Sequence, residues 1–156
     1  MYTITIVAGA RPNFIKIAPI INAIKKSNNN ITYRLVHTGQ HYDKNMSGSF
    51  FEQLNISEPD INLGCSGGTQ AGQTASLMLA FEKDLIENPT NLVLVVGDVT
   101  STMACAIVTK KQNTKLAHLD VLYTDQWKKG QNIPLWDGKA TERIVNVIIE
   151  KLEVKS

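Results

Sequence analysis

Arg11, Lys16, His37, Gln40, His41 and Asp98 are the side chains whose type and setting could support chemistry. Asp98 follows Leu92-Val93-Leu94-Val95-Val96-Gly97. Five apolar residues in a row read as a strand buried on both faces of a parallel sheet, and Gly97 lets the chain turn at its end. Asp98 then stands at the carboxyl end of a central strand, where open α/β sheets place ligands. A turn or capping role for it is equally open. Thr100 and Ser101 could cap the helix behind it. Arg11 and Lys16 open a helix after Gly9-Ala10, and a helix N-terminus with two cations suits a phosphate or sugar nucleotide, unless they are simply solvated charges. His37, Gln40 and His41 end the second strand on the same rim, as acid–base groups or as loop hydrogen-bonding residues. An enzyme centred on Asp98 and His41 would need the two within hydrogen-bond reach. His118, inside a strand, reads as a satisfied core histidine.

The elements that must position these groups alternate along the chain. Residues 2–8 form strand one, and helix one covers 12–26, with Pro12 suited to its first turn and Pro19 an internal break in its hydrogen bonding. Phe14, Ile17, Ala18, Ile21 and Ile24 recur at helical spacing. Strand two is 31–37. A helix near 44–54 carries Met46, Phe50, Phe51 and Leu54 behind the cap candidate Asp43. Residues 61–63 are a short strand, and Gly64-Cys65-Ser66-Gly67-Gly68 is a flexible loop without the lysine of a phosphate loop. A helix over about 69–88 carries the apolar residues Ala71, Ala75, Leu77, Met78, Phe81, Leu85 and Ile86. Helix 100–111 follows the central strand with Met103, Ala104, Ala106, Ile107 and Val108 on its apolar face, and residues 114–119 form a further strand. The irregular stretch 120–138 precedes an amphipathic helix over 139–154, with Ile144, Val147, Ile148 and Leu152 as its stripe and Val145 and Ile149 widening it. This order predicts a three-layer α/β/α sandwich around a parallel sheet of about five strands with right-handed crossovers.

The chain has 156 residues, enough for one domain with a real core, and is 43% hydrophobic and 19% charged. A net charge of +2 gives no reason to expect nucleic acid or an anionic membrane as partner. No run approaches the roughly 18 apolar residues of a membrane span. The first residues read as a strand, not a signal peptide. Cys105 reads as a small core residue and Cys65 as a free thiol in a loop, with no metal-ligand spacing, so the expected setting is a reducing cytoplasm and the expected metal content is none. No dinucleotide cofactor is expected: Gly9-Ala10-Arg11-Pro12 lacks G-x-G-x-x-G, and strand two ends in His37, not an acid.

Val7-Ala8-Gly9-Ala10-Arg11-Pro12-Asn13-Phe14-Ile15-Lys16-Ile17-Ala18-Pro19, Thr38-Gly39-Gln40-His41-Tyr42-Asp43 and Gly97-Asp98-Val99-Thr100-Ser101-Thr102 together resemble the non-hydrolysing UDP-N-acetylglucosamine 2-epimerases. The likeness runs from residue 2 to about 119. It implies a Rossmann-like half-domain of the GT-B type, in a family that interconverts UDP-N-acetylglucosamine and UDP-N-acetylmannosamine for polysaccharide synthesis. Family members hold the substrate between two such domains, eliminate UDP to a glycal and add it back with the other configuration at C2. By resemblance Asp98 matches a catalytic carboxylate, Arg11 and Lys16 match cations facing the cleft, and Gln40 and His41 match a loop beside the nucleotide sugar.

The chain departs from the family in length. By resemblance Asp120 stands where the family has a glutamate, and the expectation is that the segments that follow it and the second domain are missing from this chain. Residues 126–130 and 133–145 resemble the family's extreme C-terminus instead. The resemblance therefore implies an internally deleted chain, in which 1–119 is the N-terminal domain and 120–156 is the tail, with its helix packing back to cover an apolar patch of several hundred Å². The expectation is a single domain that no longer epimerises, because elimination needs acid, base and leaving-group clamp together. The alternative is a module that binds a UDP-sugar weakly, or that associates with itself or with a full-length epimerase.

Overall fold

The computed structural model describes residues 1–27, 30–39, 48–120 and 139–152. Five parallel strands, β1 (Tyr2–Ala8), β2 (Ile31–His37), β3 (Ile61–Asn62), β4 (Leu92–Val96) and β5 (Lys115–Leu119), lie in the order β3-β2-β1-β4-β5. Five helices connect or flank them: α1 (Arg11–Lys26), α2 (Gly48–Gln53), α3 (Gln70–Glu87), α4 (Thr100–Lys111) and α5 (Ala140–Leu152). The result is a Rossmann-like α/β/α sandwich.

Alternation along the strands divides the core. Ile4, Ile6, Ala8, Leu35, Leu92, Leu94 and Val96 face α1, α2 and α5. Val7, Val36, Val93 and Val95 face α3 and α4. All five residues of β4 are buried, as a central strand covered on both sides requires. α1 runs through Pro19, whose ring lies on the solvent side, and the helix ends where the Ser27 Oγ donates to the Ile24 carbonyl at 2.8 Å.

Arg34 crosses from β2 to α3 on the second face. Its Nη1 and Nη2 donate to the two carboxylate oxygens of Asp84 at 2.6 Å each. The Asp84 side chain is 3% exposed, so this fork is a buried ion pair inside an otherwise apolar contact.

Several expectations are corrected. Neither Thr100 nor Ser101 caps α4: the N-cap is Val99, and both hydroxyl residues lie within the helix. The buried side of α4 is Ser101, Ala104, Cys105, Val108 and Thr109, leaving Met103 and Ile107 exposed. On α3 only Leu77, Phe81, Asp84 and Leu85 are buried, while Ala71, Ala75 and Ile86 face out. Cys65 is buried in the second core cluster despite its loop setting, and both cysteines are free thiols. The helix expected near 44–54 is described as Gly48–Gln53, and Asp43 and Met46 lie outside the described residues.

α5 packs on α1. Val145, Ile148 and Leu152 are buried in the first core cluster, with Ile144 and Ile149 against it. Val147 is 52% exposed, which rotates the buried stripe away from the expected one. The Lys115 Nζ donates to the Lys151 carbonyl at 2.6 Å, tying the last turn of α5 to β5.

Candidate functional site

β1 and β4 are adjacent in the sheet, but the helices that follow them lie on opposite faces. Their carboxyl ends therefore open a crevice at the topological switch point, the usual ligand position in such sheets. Gly9-Ala10 and Gly97-Asp98-Val99 line it. A Cβ at Gly9 would lie 2.5 Å from the Ser101 Oγ and 2.9 Å from the Thr38 Oγ1. Only a bare Cα lets the first turn pass between α4 and the end of β2.

The turn that carries Asp98 is held from three elements. The Asn13 Nδ2, buried on α1, donates to the Val96 carbonyl at 2.6 Å. The Thr102 Oγ1 on α4 donates to the same oxygen at 2.8 Å. From β5, the Leu119 carbonyl accepts the Gly97 N–H at 2.9 Å, and the His118 Nε2 donates to the Gly97 carbonyl at 2.9 Å. Gly97 has φ +77°, a left-handed conformation that glycine adopts without strain. Asp98 itself is exposed at the rim.

Neither helix at the crevice has a side-chain cap: the N-caps are Ala10 for α1 and Val99 for α4. By contrast, the Thr69 Oγ1 at the start of α3 accepts the Gly72 N–H at 3.0 Å. The uncapped N–H groups and dipoles of α1 and α4 therefore favour an anion between them. Arg11 adds a full positive charge, its guanidinium 4.8 Å above the Phe50 ring centroid. The Thr38 hydroxyl, fully buried beside Gly9, has no hydrogen-bond partner among the described residues.

Lys16 is directed elsewhere. Its Nζ pairs with the Asp120 Oδ1 at 3.3 Å, beyond the end of β5. The pair borders a cavity of about 180 Å³ whose lining includes Ile20 and Ile144. Arg11 and Asp98 thus flank the switch point, whereas Lys16 lies toward α5. Gln40 and His41 lie outside the described residues.

His37 is buried behind the rim, stacked on Phe14 with centroids 5.5 Å apart. Its Nδ1 accepts the Gly39 N–H at 3.1 Å, so the neutral ring carries its proton on Nε2. Burial holds the imidazole below its ordinary value of 6.5, with the Asn62 side chain partly opposing. A depressed folded-state value means the unfolded chain takes up the proton first as pH falls. The contribution is complete above about pH 6.5 and is lost as pH drops through the folded value. Denaturant midpoints measured between about pH 7 and pH 5 should fall more steeply for the unaltered chain than for His37→Gln. Parallel curves would assign the acid sensitivity to other groups.

His118 was expected in the core; it is exposed on the edge strand β5, because nothing in the described structure pairs beyond that strand. Asn13 and His118 reach the turn through bonds that pattern alone does not single out. Asn13 sits in the first turn of an apolar helix with no local signal of its partner, and His118 fits strand alternation equally well in or out. Among the described residues no cluster of three or more His, Cys, Asp or Glu side chains could hold a metal, and no helix is long and apolar enough to cross a membrane.

The family described as UDP-N-acetylglucosamine 2-epimerase matches residues 22–122. The UDP-N-acetylglucosamine 2-epimerase of Methanocaldococcus jannaschii is 38% identical over 117 residues, 75% of this chain and 31% of that protein. The UDP-2,3-diacetamido-2,3-dideoxy-D-glucuronate 2-epimerase of Pseudomonas aeruginosa is 40% identical over 120 residues, 77% of this chain and 33% of that protein. The chain thus spans about a third of the length of the curated relatives it matches. Among solved structures, the M. jannaschii UDP-GlcNAc 2-epimerase in complex with UDP-GlcNAc and UDP superposes with a TM-score of 0.69 at 38% identity, over 75% of this chain and 32% of that one. A second structure of the M. jannaschii enzyme aligns over 96% of this chain and 37% of that one, at 31% identity and a TM-score of 0.67.

Proposed function

Because this chain belongs to the UDP-N-acetylglucosamine 2-epimerase family, we propose that it is the N-terminal, nucleotide-sugar-facing half of a two-lobed epimerase. In this reading residues 1–119 are that half, and 120–156 correspond to the family's C-terminal tail. An alignment that extends over 96% of the chain and the packing of α5 on α1 support this division. The observation that carries the functional reading is the pair of uncapped helix N-termini at the switch point, with Arg11 on one and Asp98 before the other.

The chemistry divides accordingly. The N–H groups of α1 and α4, with Arg11, hold the negative charge of a diphosphate, which is also the charge that grows when UDP departs. Asp98 presents a carboxylate to the sugar. Elimination across C1–C2 removes the C2 proton and expels UDP, and re-addition returns both with C2 inverted. That sequence needs a second proton-transfer group and a site closed to water, neither of which one open rim supplies. The chain alone therefore binds UDP-N-acetylglucosamine weakly and does not turn it over. Lys16, held by Asp120, serves the sugar end only if that ion pair opens, and Gln40 and His41 are assigned to the same end by resemblance.

Titration with UDP-N-acetylglucosamine, followed by amide chemical shifts, should perturb residues 9–13 and 97–101. Arg11→Ala should weaken binding roughly tenfold or more, the loss of one charge-assisted contact. A coupled assay should find no UDP-N-acetylmannosamine. Turnover by the chain alone, or shifts confined to other surfaces, would overturn the reading.

A second reading, association with another copy or with a full-length epimerase, is favoured by the apolar residues that α3 and α4 leave in solvent. Leu79 and Ile86 are 69% and 61% exposed, and Met103 and Ile107 are 54% and 39% exposed. Size-exclusion chromatography of the chain, alone and mixed with a full-length epimerase, tests it: a monomer in both cases removes it.

A further inference from the structure

We propose that His118 is a positioning residue for Asp98, acting through the peptide bond that joins Gly97 to Asp98. The proposal rests on Asp98 facing the ligand as stated above. The Gly97 carbonyl and the Asp98 N–H belong to one planar peptide unit. A bond to that carbonyl oxygen therefore fixes the plane from which the Asp98 side chain departs. Gly97 is the point at which the plane would otherwise be least determined. It is a glycine at φ +77°, with no side chain to restrict rotation.

The Gly97 N–H follows the parallel ladder, donating to the Leu119 carbonyl at 2.9 Å. The His118 ring meets the Gly97 carbonyl at 2.9 Å. Since a carbonyl can only accept, the proton is on Nε2.

Asn13 and Thr102 secure the preceding carbonyl, that of Val96. They fix the end of the strand but not the peptide that carries Asp98. His118 acts one residue further along, from an exposed edge strand where an unconstrained histidine would contribute nothing to the core.

The test compares the unaltered chain with His118→Leu, which removes the donor, and His118→Gln, whose side-chain amide can still donate. Ring nitrogen NMR of the neutral imidazole should show Nε2 protonated and Nδ1 bare. His118→Leu should shift the amide and the carboxyl carbon resonances of Asp98 in ligand-free protein. It should also weaken UDP-N-acetylglucosamine binding roughly three- to tenfold, the effect of one hydrogen bond, with the thermal midpoint lowered by no more than about 6 °C. His118→Gln should restore all three. A proton on Nδ1 in the neutral ring, or an Asp98 amide and carboxylate indifferent to His118→Leu, would overturn the proposal. Absence of any UDP-N-acetylglucosamine binding by the unaltered chain would instead defeat the proposed function, and the ligand-free measurements would still decide the role of His118.

Discussion

Arg34→Met should destabilise the protein by about 3–5 kcal/mol, the usual effect of removing one partner from a buried ion pair. The Asp84 carboxylate, 3% exposed in the unaltered fold, would be left among the described residues with the Asn88 Nδ2 at 3.3 Å. For a chain of this size the thermal midpoint should fall by roughly 6–20 °C. Folded domains hold a margin of about 5–15 kcal/mol, so the variant should be marginal rather than wholly unfolded. The double variant Arg34→Met, Asp84→Leu should recover most of the loss, because an apolar pair of similar volume needs no desolvated charge. A single variant within about 0.5 kcal/mol of the unaltered chain would mean that the fork contributes no more than a surface pair.

The second large effect is expected on α5. Ile148 is 5% exposed in the cluster formed with Val145, Leu152 and α1. Ile148→Ala should cost about 2–4 kcal/mol through lost burial and the cavity left behind. Ile148→Asp should cost more, since a carboxylate there has no solvent, and should lower the thermal midpoint by more than about 10 °C or abolish cooperative unfolding. Val147→Asp, one residue away and 52% exposed, should change stability by no more than about 0.5 kcal/mol. The contrast tests both the docking of α5 and its rotational setting. Equal losses at 147 and 148, or losses reversed between them, would show that the helix does not seat on α1 through this face.

Part of this architecture was legible in local pattern. The bounds 2–8 and 31–37 expected for the first two strands are those observed. The five-residue apolar run gave a central strand, Gly97 a turn, and the strand–helix alternation a parallel sheet with Asp98 at its carboxyl rim. The finer settings of helices were less legible. α4 has apolar residues on both sides, so its periodicity does not distinguish the side bearing Met103 and Ile107 from the side bearing Cys105 and Val108. In α5 the apolar residues span a wide arc, and the choice between Val147 and Val145 as the inner one depends on where α1 lies.

The chain's own order of residues determined which segments are strands or helices, which of them are buried on both sides, and that a carboxylate and an arginine stand on one rim. Tertiary structure alone decided their partners: Arg34 with Asp84, Asn13 with the end of β4, Lys16 with Asp120, His118 with Gly97. Those partners are 50, 83, 104 and 21 residues apart. Periodicity reports how each segment meets an average interior or solvent, because it arises from backbone geometry within a few turns. Partner identity is fixed only when strand register and crossovers bring distant segments together, and no local spacing encodes that.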